Sequence, residues 1–272
     1  MEYKQVWRFY VDRKSQDLVA GQAVQLSPDE AHYAAAVLRL AAGEQVELAD
    51  GDGWTARAVL ERVEKKGVIA TLHECTQHPA PARRVVALVG ITKPGALDEI
   101  IQVCVEAGVA ELVLCKADKT TSRQEIKLEK VIRQIGEICR ITKSPWSMRI
   151  TCAESFAAAM QKAREQYTFS KLLICDERPA HAAEWASQNT PHLLQESGAF
   201  TSGDLLFAVG PEASFSAAEY EYFLSEESAG RAGFVSLGPR ILRTPAAVAA
   251  AAYLLSACVE SKTLPANSAY SP

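Results

Sequence analysis

The sequence lacks the pieces of several common chemistries. It has no Cys-x-x-Cys pair, and its five histidines show no ligand spacing, so a zinc site is not expected. It has no Gly-x-Gly-x-x-Gly, no P-loop and no nucleophile elbow. A phosphate-cradling loop and a Ser-His-Asp hydrolase therefore lack a motif to stand on. It has no long hydrophobic run; the longest apolar stretch, residues 246–259, is alanine-rich and too short to span a bilayer. Glu2, Lys4 and Arg8 stand among the first residues, with no apolar segment, so no secretory leader is expected. Positive charge is not in excess either. Lysine and arginine number 29 against 33 aspartate and glutamate, a net charge of −4, so any contact with nucleic acid needs a local basic patch.

What is present describes an ordinary globular chain. It has 272 residues, 48% hydrophobic and 23% charged, enough for one large or two modest domains. The seven cysteines are an odd number, and Cys104, Cys115 and Cys175 sit inside apolar runs. They read as reduced, buried, small hydrophobes of a cytosolic protein.

The pattern changes along the chain. Residues 6–11, 23–26, 45–48, 54–63 and 67–73 are short strand-like runs, with Asp50-Gly51-Asp52-Gly53 as a hairpin signal between two of them. Ser27-Pro28-Asp29-Glu30 predicts a capping box and a helix continuing to residue 38. Residues 77–82 read as a linker. Beyond it, strands are expected at 85–91, 111–115, 171–175, 205–209 and 234–237. They alternate with helices at 96–107, 125–142, 154–166, after a second capping box at Ser216–Glu219, and at 246–260. That alternation predicts an α/β fold with a parallel sheet covered on both faces.

Two strand ends break into Gly-Pro: Gly210-Pro211-Glu212, running on to Phe215-Ser216, and Leu237-Gly238-Pro239, running on to Ile241-Leu242-Arg243-Thr244-Pro245. Two such turns can wall one ligand at the carboxyl ends of an open α/β sheet.

At these turns the sequence resembles the ribosomal RNA small subunit methyltransferase E family, of the knotted SPOUT class. That family carries Gly-Pro-Glu-Gly-Gly-Phe-Ser, matched by Gly210, Pro211, Glu212, Phe215 and Ser216. It also carries Leu-Gly-x-x-Ile-Leu-Arg-x-Glu-Thr-Ala, matched by Leu237, Gly238, Ile241, Leu242, Arg243 and Thr244. The resemblance runs over the whole chain. Arg8-Phe9-Tyr10-Val11 is similar to the family's N-terminal Arg-Phe-Phe-Val. His32, residues 37–40, Gly43 and Asp50-Gly51 are similar to its RNA-binding barrel. Lys93, Glu106-Ala107-Gly108-Val109 and Ser122-Arg123 match a family lysine, helix end and arginine loop.

The resemblance implies a PUA-like β-barrel for RNA at residues 1–76 and a SPOUT-type methyltransferase domain with a C-terminal trefoil knot at 84–272. It implies S-adenosylmethionine as methyl donor and N3 of a uridine in small-subunit rRNA as acceptor. It also implies a homodimer in the cytoplasm, with no membrane and no metal. Carried over, cofactor binding falls to Gly210, Pro211, Glu212, Leu237, Gly238, Ile241 and Leu242, with a further loop near Asp176-Glu177. Catalysis falls to Arg243 first and Arg123 second, each as a guanidinium for the anion that develops on the uracil carbonyls. RNA contact falls to Arg8, Arg39 and Lys93.

The chain also departs from the family. Ala213-Ser214 stands in place of Gly-Gly, and Pro245-Ala246 in place of Glu-Thr. Residues 137–140 with Lys143 blur a Glu-Gln-x-x-Arg segment. A chain that binds RNA or cofactor with weakened or lost turnover is therefore an alternative. A small-molecule enzyme using the α/β cleft is a third reading.

Overall fold

The computed structural model describes residues 6–11, 18–64, 67–120, 126–176, 190–199 and 202–260. The chain forms two compact units, Met1–Pro81 with Gly136–Ser147, and Ala82–Ile135 with Met148–Pro272. The return of residues 136–147 to the first unit was not contained in the sequence expectation.

In the first unit a five-stranded sheet has the order β1-β3-β4-β5-β2. Its strands are β1 (Trp7–Tyr10), β2 (Ala23–Gln25), β3 (Gln45–Ala49), β4 (Trp54–Glu64) and β5 (Gly67–Gln77). The β1–β3 pair is parallel and the others antiparallel. The expected hairpin joins β3 to β4. The Asp50 carboxylate accepts from the Asp52 and Trp54 amides at 2.7 and 3.0 Å, an Asx turn. Phe9, Leu48, Leu60 and Leu72 fill the core between sheet and helix.

The helix differs from expectation. Helix α1 (Pro28–His32) gives way to a π-helical turn at Tyr33–Val37. The Ser27 hydroxyl accepts from the Glu30 amide at 3.3 Å, but the Glu30 carboxylate is bound by Arg140. The reciprocal half of the capping box gives way to an ion pair.

The second unit is a six-stranded sheet of order β11-β9-β10-β6-β7-β8, parallel throughout. Its strands are β6 (Val85–Gly90), β7 (Glu111–Cys115), β8 (Arg149–Ala153), β9 (Leu172–Cys175), β10 (Leu205–Val209) and β11 (Ala232–Val235). The helices are α2 (Pro94–Glu106), α3 (Leu128–Thr142, whose residues 136–142 belong to the first unit), α4 (Phe156–Gln166), α5 (Leu193–Ala199), α6 (Ala217–Ser228) and α7 (Thr244–Glu260). Side chains alternate across a strand, so each strand supplies both faces. On one face Val86, Leu88, Val113, Leu206 and Ile174 pack with Phe156 and Met160 of α4 and Phe223 of α6. On the other, α7 lies on β6 and β10 and packs against α2. Both faces being covered explains why β6, β7, β9, β10 and β11 are buried along their whole length.

Strand β8 was absent from the sequence expectation. It sits at the sheet edge beside β7 and is half exposed, so its residues do not form the apolar run that marks the inner strands.

One buried carboxylate gives the second unit a pH dependence. Glu226 is held below the ordinary carboxyl range by its hydrogen bond to Arg231. Burial opposes that shift, and Arg164 reinforces it. A lowered folded-state pKa contributes stability above the ordinary value of 4.5, and that contribution is lost as pH falls through the lowered value. Glu226→Gln is expected to flatten the acid limb of a stability–pH curve below about pH 4.5 relative to wild type. Parallel acid limbs would show that Glu226 is not the group responsible.

Candidate functional site

The carboxyl ends of β11, β9 and β10 are neighbours in the sheet. A cavity of about 780 Å³ opens there. This lies within the range of sites that hold small molecules, about 300–1,000 Å³. Its walls come from Cys175-Asp176 after β9, Val209-Gly210-Pro211-Glu212 after β10, and Leu237 with residues 240–245 after β11.

The two Gly-Pro turns are fixed in different ways. The first packs against β6: a Cβ added to Gly90 would lie 2.5 Å from Cδ of Pro211, so only glycine lets the proline sit there. Phe215, 1% exposed, anchors the far side of that turn against Phe156, Tyr220 and Phe223 at ring separations of 4.9–5.7 Å. Ser216 caps α6, and both halves of the expected capping box are made with Glu219. In the second turn Gly238 has φ +117°, a conformation side chains rarely adopt. The buried Thr244 hydroxyl donates to the Gly210 carbonyl at 3.3 Å and ties one turn to the other.

Charge in the cavity lining is of both signs, from Asp176 and Glu212 and from Arg240 and Arg243. Asp176 is gripped by the Tyr220 hydroxyl, which donates to it, and by Ser214 Oγ at 3.5 Å. Burial pushes the Tyr220 phenol above its usual range, and the bond to Asp176 adds to the shift while Ser214 opposes it. The phenol therefore stays a donor and Asp176 an acceptor. Val209, Val235, Leu237, Ile241 and Leu242 supply apolar wall. Such a lining suits a small molecule with an apolar body and opposite charges at its end.

Ser214 is where the sequence replaces a family glycine, and its φ is +59°. Left-handed backbone at a non-glycine residue costs about 1 kcal/mol. Ser214 offsets part of this through its hydroxyl, which lies 3.3 Å from the Tyr220 oxygen.

Most of the sequence-predicted cofactor residues come together here. Gly210, Pro211, Glu212, Leu237, Ile241 and Leu242 line the cavity, and Gly238 shapes the turn beside it. Arg243 lines it too, its guanidinium 3.5 Å from Glu99 in an exposed pair. Lys93 precedes α2, and its amide donates to Glu212 at 3.1 Å. Arg39 is exposed in the first unit, with φ +55°. Arg123 and Glu177 lie outside the described residues.

Arg8 requires a correction. It is 3% exposed, and each guanidinium nitrogen is engaged: Nε with Glu47 at 2.8 Å, Nη1 with the Ser144 carbonyl, and Nη2 with the Lys143 carbonyl at 2.8 Å. A guanidinium with its donors spent inside the fold is not presented to RNA; Arg8 is a structural clamp.

Tyr220 and Arg240 escaped the sequence reading. The one signal for Tyr220 was its place in the first turn of α6, just after a loop already singled out. Among the described residues, no group of three or more His, Cys, Asp or Glu side chains is placed to hold a metal. Also among them, no helix is long and apolar enough to cross a membrane.

Comparison with known proteins bears on this geometry. A family model described as an RNA methyltransferase domain matches residues 78–256, and one described as an RNA methyltransferase PUA domain matches 26–72. Ribosomal RNA small subunit methyltransferase E of Bacillus subtilis is 25% identical over 250 residues, covering 88% of this chain and 92% of its own. The protein of the same name from Synechocystis is 26% identical, over 88% of this chain and 74% of its own. A Legionella pneumophila methyltransferase solved with bound cofactor SAM superposes with a TM-score of 0.71 at 24% identity, over 93% of this chain and 98% of that one. Ribosomal RNA small subunit methyltransferase E from Neisseria gonorrhoeae, bound to S-adenosyl methionine, gives 0.70 at 22%, over 95% and 98%. At these identities the two structures speak for the fold.

Proposed function

The chain belongs to the RNA methyltransferase family, and we propose that it methylates N3 of a uridine in small-subunit ribosomal RNA, with S-adenosylmethionine as donor. When bound, this cofactor supplies an electrophilic methyl group carried on a sulfonium. The cavity residues fit it. Asp176 and Glu212 can face a sulfonium or ammonium, Arg240 a carboxylate, and the apolar wall a purine. The observation that carries the proposal is this two-signed cavity at three adjacent strand ends, walled by Gly210-Pro211 and by the residues on either side of Gly238-Pro239.

Uridine N3 must lose its proton to solvent to become a nucleophile, and negative charge then builds on O2 and O4; forming the N3–CH3 bond would break the sulfonium S–CH3 bond and leave a neutral thioether. Arg243 stands at the cavity with its guanidinium 76% exposed and paired to Glu99. Exposed pairs contribute about 0–1 kcal/mol, so moving the guanidinium to a uracil carbonyl costs little. There it stabilises the developing anion. Tyr220 and Ser214 hold Asp176 in place, and the packed turns keep the pocket shaped.

The finer architecture belongs to the same proposal. The last part of the chain threads a trefoil knot, a reading supported by β10 lying between β9 and β6 while α7 returns over β6 and β10. The first unit is a PUA-like RNA-binding barrel. A second copy completes the site, a reading supported by Ile241, which lines the cavity yet is 90% exposed. The enzyme works in the cytoplasm on rRNA.

The left-handed Ser214 favours one further reading, a chain that binds cofactor or RNA but turns over poorly. Two measurements decide. Calorimetric titration is expected to give micromolar S-adenosylmethionine binding. Methylation at N3 blocks Watson–Crick pairing, so deletion of the gene is expected to remove one reverse-transcription stop from small-subunit rRNA, and wild-type protein to restore it. A stop that persists in the deletion strain rejects the proposed reaction. Binding without restoration of the stop selects the second reading.

A further inference from the structure

A second, smaller cleft of about 90 Å³ lies in the same unit as the methyl-donor cavity, between the first turn of α2 and the start of α3. Its apolar lining comes from Ile91, Pro94, Leu97, Ile126 and Val131. Its polar lining comes from the buried Thr92 and from the more exposed Asp98, Lys127, Lys130 and Gln134.

These polar groups supply the donors, acceptors and positive charge that a nucleotide can engage. Gln134 is half-buried and offers both a donor and an acceptor. Thr92 is 2% exposed, and the hydrogen bond its hydroxyl makes, to the Lys93 carbonyl, is long at 3.4 Å. Asp98 is an exposed acceptor. Lys127 and Lys130 are exposed, and Lys127 stands just ahead of α3, where the helix dipole adds positive potential. A cavity of about 150 Å³ accepts a benzene ring, so this cleft takes one edge of a base and leaves sugar and phosphate outside.

The same stretch of chain walls both cavities. Ala96 lines the large one, while Pro94, Leu97 and Asp98 line the small one. A base in the small cleft is therefore separated by this turn from Gly210 and Pro211, and is not the one that receives the methyl group. We infer that the cleft binds a nucleotide adjacent to the acceptor uridine, its base edge on the apolar lining and its phosphates met by Lys127 and Lys130. This inference rests on the RNA substrate proposed above.

The test uses the full-length protein and short single-stranded RNAs with a central uridine, followed by fluorescence anisotropy over a range of salt. The pair Lys127→Ala and Lys130→Ala is expected to weaken binding about tenfold at low salt. It should also reduce the slope of log affinity against log salt by about 1.4, the value for two phosphates of a single strand. The pair Lys127→Arg and Lys130→Arg should keep the wild-type slope, and both pairs should bind S-adenosylmethionine as wild type does. An abasic site at one of the two positions flanking the uridine should cost wild type about tenfold, the order expected when a small apolar surface is no longer buried. An unchanged salt slope in the alanine pair, indifference to abasic sites on both sides, or no RNA binding by wild type overturns the inference. RNA binding with the expected slope but no uptake of S-adenosylmethionine leaves the cleft's role standing and overturns the proposed function instead.

Discussion

Arg243→Ala is expected to lower the single-turnover rate of methyl transfer by about 10²–10³, the usual cost of removing one donor aimed at a developing oxyanion. Affinity for S-adenosylmethionine should stay within a few-fold of wild type. Arg243 is largely exposed and its ion partner Glu99 is more than half exposed, so the residue contributes little to holding the fold or the pocket. In the proposed reaction its worth lies in charge delivered as the anion develops. Arg243→Lys should recover part of the rate, because a point charge replaces the fork without its second donor. Thermal unfolding of the three proteins should coincide. A rate for Arg243→Ala equal to wild type would reduce this arginine to a solvated surface ion.

Arg140→Ala is expected to destabilise the first unit by about 3–5 kcal/mol, measured by urea unfolding. Arg140 donates through Nη1 and Nη2 to both oxygens of Glu30 and through Nη1 to the Arg8 carbonyl, and its guanidinium lies 5.2 Å from the ring centres of Tyr10 and Tyr33. Both side chains of the ion pair are nearly buried, at 14% and 10% exposure, so the loss leaves a carboxylate stranded away from water. The double variant Arg140→Met with Glu30→Leu should regain most of the stability, since neither charge is then left alone. A small loss in the single variant would mean that water reaches Glu30 readily. Methyl-donor binding is expected to survive in both variants, as the cavity lies wholly in the other unit.

Local chemistry was the legible part of this chain. The Gly-Pro turns, the Asp50 hairpin and the Ser216 capping box are each written in a few consecutive residues, and each formed where its residues stand. The buried strands β6 and β10 announced themselves as unbroken apolar runs. Partners distant in sequence were not legible. Arg8 matches a family arginine, which implies an RNA contact, yet its carbonyl partners lie 135 and 136 residues away. Glu30 left its expected capping role for Arg140, 110 residues on. The edge strand β8 had no periodicity of its own and exists because β7 pairs with it. Of the site, the turns could be read, but the bond from Thr244 to Gly210 and the grip of Tyr220 on Asp176 arise only once the sheet brings separate strand ends side by side.

The close approach of Pro211 to Gly90 constrains how the cavity can be reshaped. The two positions share one small volume, 121 residues apart in the chain, and can be occupied by a Cβ on one side or a pyrrolidine ring on the other. Neither can be edited freely while the other keeps its residue. A variant library that randomises the Pro211 loop alone explores shapes dictated by a bare backbone on β6. One that varies both positions together opens a different set of pocket outlines, reachable only by paired change.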